Sequence, residues 1–353
     1  MIEKILQKAL DRQRVDAAEA VELFSCNDIL LLGNVASRIA GMANPEKVVT
    51  YIIDRNINYT NICVTDCTFC AFYRKESDAD SYVHPFATLA EKIEETLAAG
   101  GRQILLQGGH NAKLGIDYFE DLFRRIKARF DIHLHALSPA EIFHISKISK
   151  ITLDETLRRL REAGLDSIPG GGAEILVDRV RNVISAKKCT ADQWLEVMAK
   201  AHGMGIPTTA TMMFGHVESI EERVEHLIRL RTQQDETGGF TAFIPWTFQP
   251  GNSELGPQVK DKVSSWEYLK TLAICRIVLD NFDNIQSSWV TQGPKIGQMS
   301  LFYGANDMGS TMIEENVVRA AGTVYCMDET EIRRLIEDIG AKAQRRNMRY
   351  QYV

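Results

Sequence analysis

Cys63, Cys67 and Cys70 bring three thiols into eight consecutive residues, in the spacing Cys-x3-Cys-x2-Cys. Three soft thiolates on one short loop suit iron–sulfur ligation better than a disulfide framework. A four-iron cubane held by three protein thiolates leaves one iron without a protein ligand, and that iron can chelate the amino and carboxylate groups of a small molecule. Two plainer uses stand beside this one. A zinc knuckle wants a fourth Cys or His, for which His84, fourteen residues beyond Cys70, is the nearest candidate. A redox Cys-x2-Cys pair leaves Cys63 unexplained.

The elements that must position these thiols follow from the periodicity. From about residue 48 onward, apolar runs alternate with amphipathic helices, the pattern of a parallel sheet with crossover helices. Strands are expected at 52–61, 103–107, 132–137, 166–169, 206–214, 240–248 and 284–290, with a shorter one near 301–306. That spacing predicts an α/β fold, a (β/α)8 TIM-type barrel, complete or partly open. The barrel is expected over 48–315, after an N-terminal helical extension at 1–47 and before a C-terminal helical segment at 316–353 that packs on it. In the extension, Ser25 with Asp28 reads as a capping box and Gly41 as a helix stop. Within the barrel, helix starts are expected at Thr88, Asp117, Ser138, Thr152, Thr190, Ser219 and Ser264, each followed three residues later by Glu or Gln.

In a parallel barrel the working residues sit on the loops that leave the C-terminal ends of the strands. The first such loop carries the cysteines, with Phe69 beside Cys70. The second reads QGGHN, where Gly108 and Gly109 let backbone approach a ligand and His110 and Asn111 follow. Ser138, with Pro139 after it, has the makings of a helix cap at the third exit. The fourth reads PGGGAEI: Gly170 to Gly172 form a backbone nest, Glu174 follows, and Arg179 and Arg181 come soon after, one of them able to pair with Asp178. At the sixth, IPWTFQP presents the flat ring of Trp246 and the amide of Gln249.

Composition excludes several classes. The 353 residues carry 41 Lys and Arg against 47 Asp and Glu, a net charge of -6, and the main body has no basic stripe, which argues against nucleic acid as a partner. The basic end AKAQRRNMRYQYV is expected to be a short cationic helix with a solvated face. The chain has no secretory signal and no apolar run of about 18 residues, so no membrane span and a cytoplasmic location are expected. Cys26, Cys189, Cys275 and Cys326 are isolated and expected to be small buried hydrophobes.

The cysteine spacing, with an aromatic just before its last member, resembles the signature of radical S-adenosylmethionine enzymes. The stretches RNINYTNICVTDCTFCAFYR, GLDSIPGGGAEILVDRVR, TTATMMFGHVES and GGFTAFIPWTFQPGNS resemble, within that superfamily, the cyclic dehypoxanthine futalosine synthase family of the futalosine route to menaquinone. The likeness runs from about residue 52 to about residue 315, and the run GANDMGSTMIEEN, near its end, is taken to close the barrel mouth. The resemblance implies a [4Fe-4S] cluster on Cys63, Cys67 and Cys70 and S-adenosylmethionine bound by Phe69, Gly108, Gly109, Ser138, Glu174 and Arg179. It implies substrate contacts from His110, Asn111, Trp246 and Gln249, with His110 the candidate catalytic residue. The implied reaction is abstraction of a ribose C4′ hydrogen from dehypoxanthine futalosine by a 5′-deoxyadenosyl radical, attack of the carbon radical on the benzoate ring, and loss of one electron and one proton. An electron donor such as flavodoxin or ferredoxin is the implied protein partner. Aminofutalosine synthase and a deazaflavin synthase subunit are the alternatives within the superfamily; a cluster-bearing electron carrier or a zinc-stabilised binding protein would be the alternatives outside it.

Overall fold

The computed structural model describes residues 1–259 and 261–353. Three helices, Ile2–Leu10, Ala17–Phe24 and Ile29–Ala43, open the chain, and Ile5, Leu6, Leu23 and Leu32 are buried beneath them. Asp28 alone caps the third, accepting from Leu31 N at 2.9 Å. Ser25 is not part of a box, because its hydroxyl turns back to Glu22 O. Gly41 does not stop the helix, which runs on to Ala43.

Among the described residues eight strands follow: β1 (Val48–Ile52), β2 (Asn56–Asn58), β3 (Gln103–Gln107), β4 (His133–Ala136), β5 (Thr208–Phe214), β6 (Phe240–Thr247), β7 (Asp307–Ser310) and β8 (Lys342–Arg345). β2, β3 and β4 pair in parallel, β5 pairs with β6, and β1 lies between β7 and β8. Parallel bridges His135 to Ser167 and Ile168 to Thr208 link β4 to β5. The bridges Phe243 to Ile285 and Gln286 to Asp307 link β6 to β7. Since β1 and β2 are two halves of one bent segment, the run of parallel pairings returns to its start, an α/β architecture of the barrel-like kind. Helices fill the outside, as a parallel sheet buried on both faces requires.

Several expectations are corrected. The first strand is broken at residues 53–55, where Arg55 O accepts from Leu105 N on one side and Asn56 N donates to Glu314 O on the other. The last barrel strand is β7, not 301–306, because residues 301–304 finish the helix Pro294–Ser300 in turns. At 284–290 only Ile285 and Gln286 bridge, and Trp289 already begins a short helix. The C-terminal segment has a helix, Glu329–Glu337, but the basic end is strand, not solvated helix. Its Arg346 is drawn inside by the buried carboxylate of Asp307, with Nε and Nη2 donating at 2.5 and 2.9 Å. Capping boxes form at Ser138, Thr190 and Ser219, and Thr152 and Ser264 cap their helices. Thr88 and Asp117 do not: those helices start at Phe86 and Ile116, and Glu120 is held by Arg159 and Arg124 instead. Cys26, Cys189 and Cys275 are buried, whereas Cys326 is exposed. Among the described residues no helix is long and apolar enough to cross a membrane.

Candidate active site

The loop after β2 carries Cys63, Cys67 and Cys70 as free thiols. Its shape is held from outside: Cys63 N donates to Arg74 O, Val64 N to His110 O and Thr68 N to Ile184 O, each at 3.0 Å. Burial pushes the Cys67 thiol up to about 11 and raises Cys70 as well. Among the described residues no three His, Cys, Asp or Glu side chains converge on a single ion. A zinc knuckle needs four donors within about 2.0–2.3 Å of one centre, whereas thiols that each bind a different iron of a cluster share no such centre. His84 is stacked on Tyr82, with ring centroids 4.2 Å apart, and completes no ligand set.

The second exit packs directly on this loop. A Cβ at Gly109 would stand 2.2 Å from Ile62 O and 2.9 Å from Cys63 Cβ, and one at Gly108 would stand 2.7 Å from the Tyr59 ring. The glycine pair therefore lets the exit close on the cysteine loop, and Gly108 N is already spent on Glu141 Oε1 at 3.0 Å. His110 is buried, its backbone N–H donates to Cys63 Sγ at 3.3 Å, and burial holds its ring well below the usual histidine range. Contrary to expectation, His110 and Asn111 face Leu114 and His144 behind the loop rather than the central cavity. Ser138 is likewise used up in its capping box, donating to Glu141 Oε2 at 2.7 Å and accepting from Glu141 N.

The cavity at the centre has a volume of about 280 Å³. Glu174 lines it from a left-handed backbone position, φ +42°. Its Oε1 accepts from Lys188 Nζ at 2.8 Å, Arg181 Nη1 stands 4.0 Å from Oε2, and Oε2 is buried with no hydrogen-bond partner among the described residues. Burial works against the Lys188 charge, but the negative charges of Cys67, as thiolate, and of the Glu174 carboxylate raise it well above the usual lysine range. The ammonium also lies 5.1 Å from the Phe69 ring centroid, so Phe69 sits at the join between cysteine loop and cavity. Gly170 to Gly172 line the cavity too; a Cβ at Gly171 would meet Gln107 Nε2 at 2.5 Å. Arg179 points elsewhere: it is exposed and bound to Glu222 and Val217 O, and Arg181 takes the place by Glu174.

Trp246 lines the cavity, but Gln249 does not: its amide donates to Thr247 O and Oγ1 at 3.0 and 2.9 Å and accepts from Thr323 Oγ1 at 2.9 Å. Lys188, beside Glu174, and His135, which lines the cavity, lie outside the residues expected at the site. No pattern marks Lys188, the second of two lysines before the Thr190 cap, whose neighbour Lys187 is exposed on Asp66. His135 was discoverable as an inward position of a strand, two residues from His133.

The Radical SAM superfamily model matches residues 57–230, and the CofH/MqnC C-terminal region matches residues 237–353. A cyclic dehypoxanthine futalosine synthase from Halalkalibacterium halodurans is 46% identical over 353 residues, covering 100% of this chain and 95% of the relative. One from Streptomyces coelicolor is 42% identical over 356 residues, covering 100% and 89%. Among solved structures, methylornithine synthase superposes with a TM-score of 0.74 at 17% identity, covering 96% of this chain and 97% of the other, a likeness of fold.

Proposed function

The chain belongs to the radical S-adenosylmethionine superfamily and, within it, to the family of cyclic dehypoxanthine futalosine synthases, and from that premise we propose that it cyclises dehypoxanthine futalosine in menaquinone biosynthesis. It is an enzyme that uses a [4Fe-4S] cluster and S-adenosylmethionine. The residues present fit both. Three free thiols on one externally braced loop match a cluster with one iron open to a small molecule. The unpartnered Glu174 Oε2, in a residue lining the cavity, is an acceptor awaiting a donor such as a ribose hydroxyl.

When bound, the cluster and S-adenosylmethionine supply a primary carbon radical that abstracts hydrogen from a sugar. The protein's own part is placement. Cys63, Cys67 and Cys70 would hold the cluster, and the Lys188 ammonium near Cys67 favours the thiolate form ligation requires. Glu174 would hold the cofactor's ribose at the boundary of the cavity. Trp246 offers an aromatic face against which a benzoate-bearing sugar can lie, while the Gln107 side chain supplies a neutral amide to sugar hydroxyls. Walls closed around a bound substrate would keep water from the reacting carbon. We place this chemistry on an eight-position barrel spanning 48–315, in the cytoplasm, with flavodoxin or ferredoxin as donor.

The observation that carries the reading is Glu174, which touches the cavity on one side and, through Lys188, the cysteine loop on the other. Anaerobic reconstitution with dithionite, S-adenosylmethionine and dehypoxanthine futalosine, followed by product analysis, tests it. Cyclic product is expected; 5′-deoxyadenosine without any cyclic product would sink the substrate assignment.

A further inference from the structure

Ser167 joins two histidines. Its Oγ lies 2.7 Å from His135 Nδ1 and 2.7 Å from His133 Nε2. His135 is buried and lines the cavity, and among the described residues its ring makes no other hydrogen bond, leaving Nε2 toward the cavity. His133, at the start of β4, is only half-buried and stands at the strand end away from the exits. Ser167 itself is buried. Such a row is costly as mere filling, since each polar atom taken from water must be matched; as a path from the cavity toward solvent it has a use.

We propose that His135, Ser167 and His133 form a proton relay that carries the proton lost by the substrate's aromatic ring out of the cavity. The inference rests on the ring-closing reading above. After the new carbon–carbon bond forms, the C–H bond at the attacked ring carbon breaks and its electron pair stays in the ring. The proton goes to His135 Nε2, the Nδ1 proton passes to Ser167 Oγ, and the hydroxyl proton passes to His133 Nε2, whose other nitrogen releases one to water. The surplus electron leaves the ring to a one-electron carrier of the ferredoxin or flavodoxin class. His135 is a relay rather than a store: burial, with His133 and Arg346 facing it, keeps the ring neutral at rest. His133 is also lowered by burial, opposed by Asp166 and assisted by Lys127 and Arg349.

The test uses the reconstituted enzyme. Ser167→Ala and His133→Ala should each slow formation of cyclic product by about a hundredfold, the lower end of what positioned proton transfer contributes, with iron content unchanged. Added imidazole should restore His133→Ala, at the partly exposed position, and not Ser167→Ala, at the buried one. Cyclic product at the wild-type rate in both variants, or a His133→Ala defect that imidazole leaves untouched, overturns the relay while leaving the substrate reading intact. A wild-type enzyme that gives no cyclic product overturns that reading itself, and the relay with it.

Discussion

Lys188 Nζ donates to Glu174 Oε1 at 2.8 Å, while the same ammonium faces Cys67 and the Phe69 ring, so one buried lysine ties the cysteine loop to the carboxylate that lines the cavity. Breaking a buried pair from one side leaves the other charge unmatched, at about 3–5 kcal/mol. Glu174→Gln should therefore lower thermal stability and weaken S-adenosylmethionine binding about tenfold, roughly the loss of one charge-assisted hydrogen bond. Adding Lys188→Met should recover the melting temperature but not the affinity. A binding titration and a melting curve on each variant decide the point, and wild-type affinity in Glu174→Gln would return this carboxylate to a purely structural role.

Replacing Cys63, Cys67 or Cys70 with Ala should abolish the cluster, measured as iron and sulfide per chain. Replacing Cys26, Cys189, Cys275 or the exposed Cys326 should leave both at wild-type values. A fully loaded Cys67→Ala enzyme would contradict the ligand assignment.

Gly109→Val separates two roles for the glycine pair. If Gly109 served the cofactor alone, iron content would be unchanged. Its Cβ would instead stand 2.2 Å from Ile62 O, and because that neighbour is backbone of the cysteine loop, the loop must move. We expect loss of most of the iron, and an unaltered iron assay would refute the packing argument.

Trp246 and Gln249 should behave differently despite their closeness in sequence. Trp246→Ala should keep the cluster and S-adenosylmethionine affinity but lower the ratio of cyclic product to 5′-deoxyadenosine by up to about a hundredfold, the cost of a displacement of about 1 Å. Gln249→Ala removes an amide bonded to Thr247 and Thr323 and should lower stability by about 1–3 kcal/mol. If Gln249→Ala alone shifts the product ratio, the residue reaches the substrate after all.

Acid should weaken the fold. Burial lowers His202 to about 4, and His226, buried near Arg181, to about 3, from an ordinary value of 6.5. The unfolded chain takes up these protons near pH 6.5 and the folded chain only well below it, so the unfolded state binds more protons and stability falls as pH drops from about 6.5 toward 4. A melting temperature lower by about 4 °C or more at pH 5 than at pH 7 is expected; an unchanged one would show these rings are not held neutral.

The sequence by itself determined what depends on local spacing. The alternation of strand and helix and the caps at Ser138, Thr190 and Ser219 need only neighbours within a few residues, and each stands as read. It also placed Glu174 and Trp246 at strand exits, and both line the cavity, because strand exits in a barrel all open toward one end. What tertiary structure decided is which way a side chain turns and whether its polar atoms are already engaged. Ser138, Gln249 and Arg179 carry the right chemistry but are bound to Glu141, Thr247 and Glu222, partners that spacing does not reveal for a site. His110 lies behind the cysteine loop because the glycines before it let that loop close on the exit. Lys188 and Glu174 are 14 residues apart in the chain, and Arg346 and Asp307 are 39 apart. Such pairs are chosen by the burial of opposite charges across elements, which no one-dimensional period encodes.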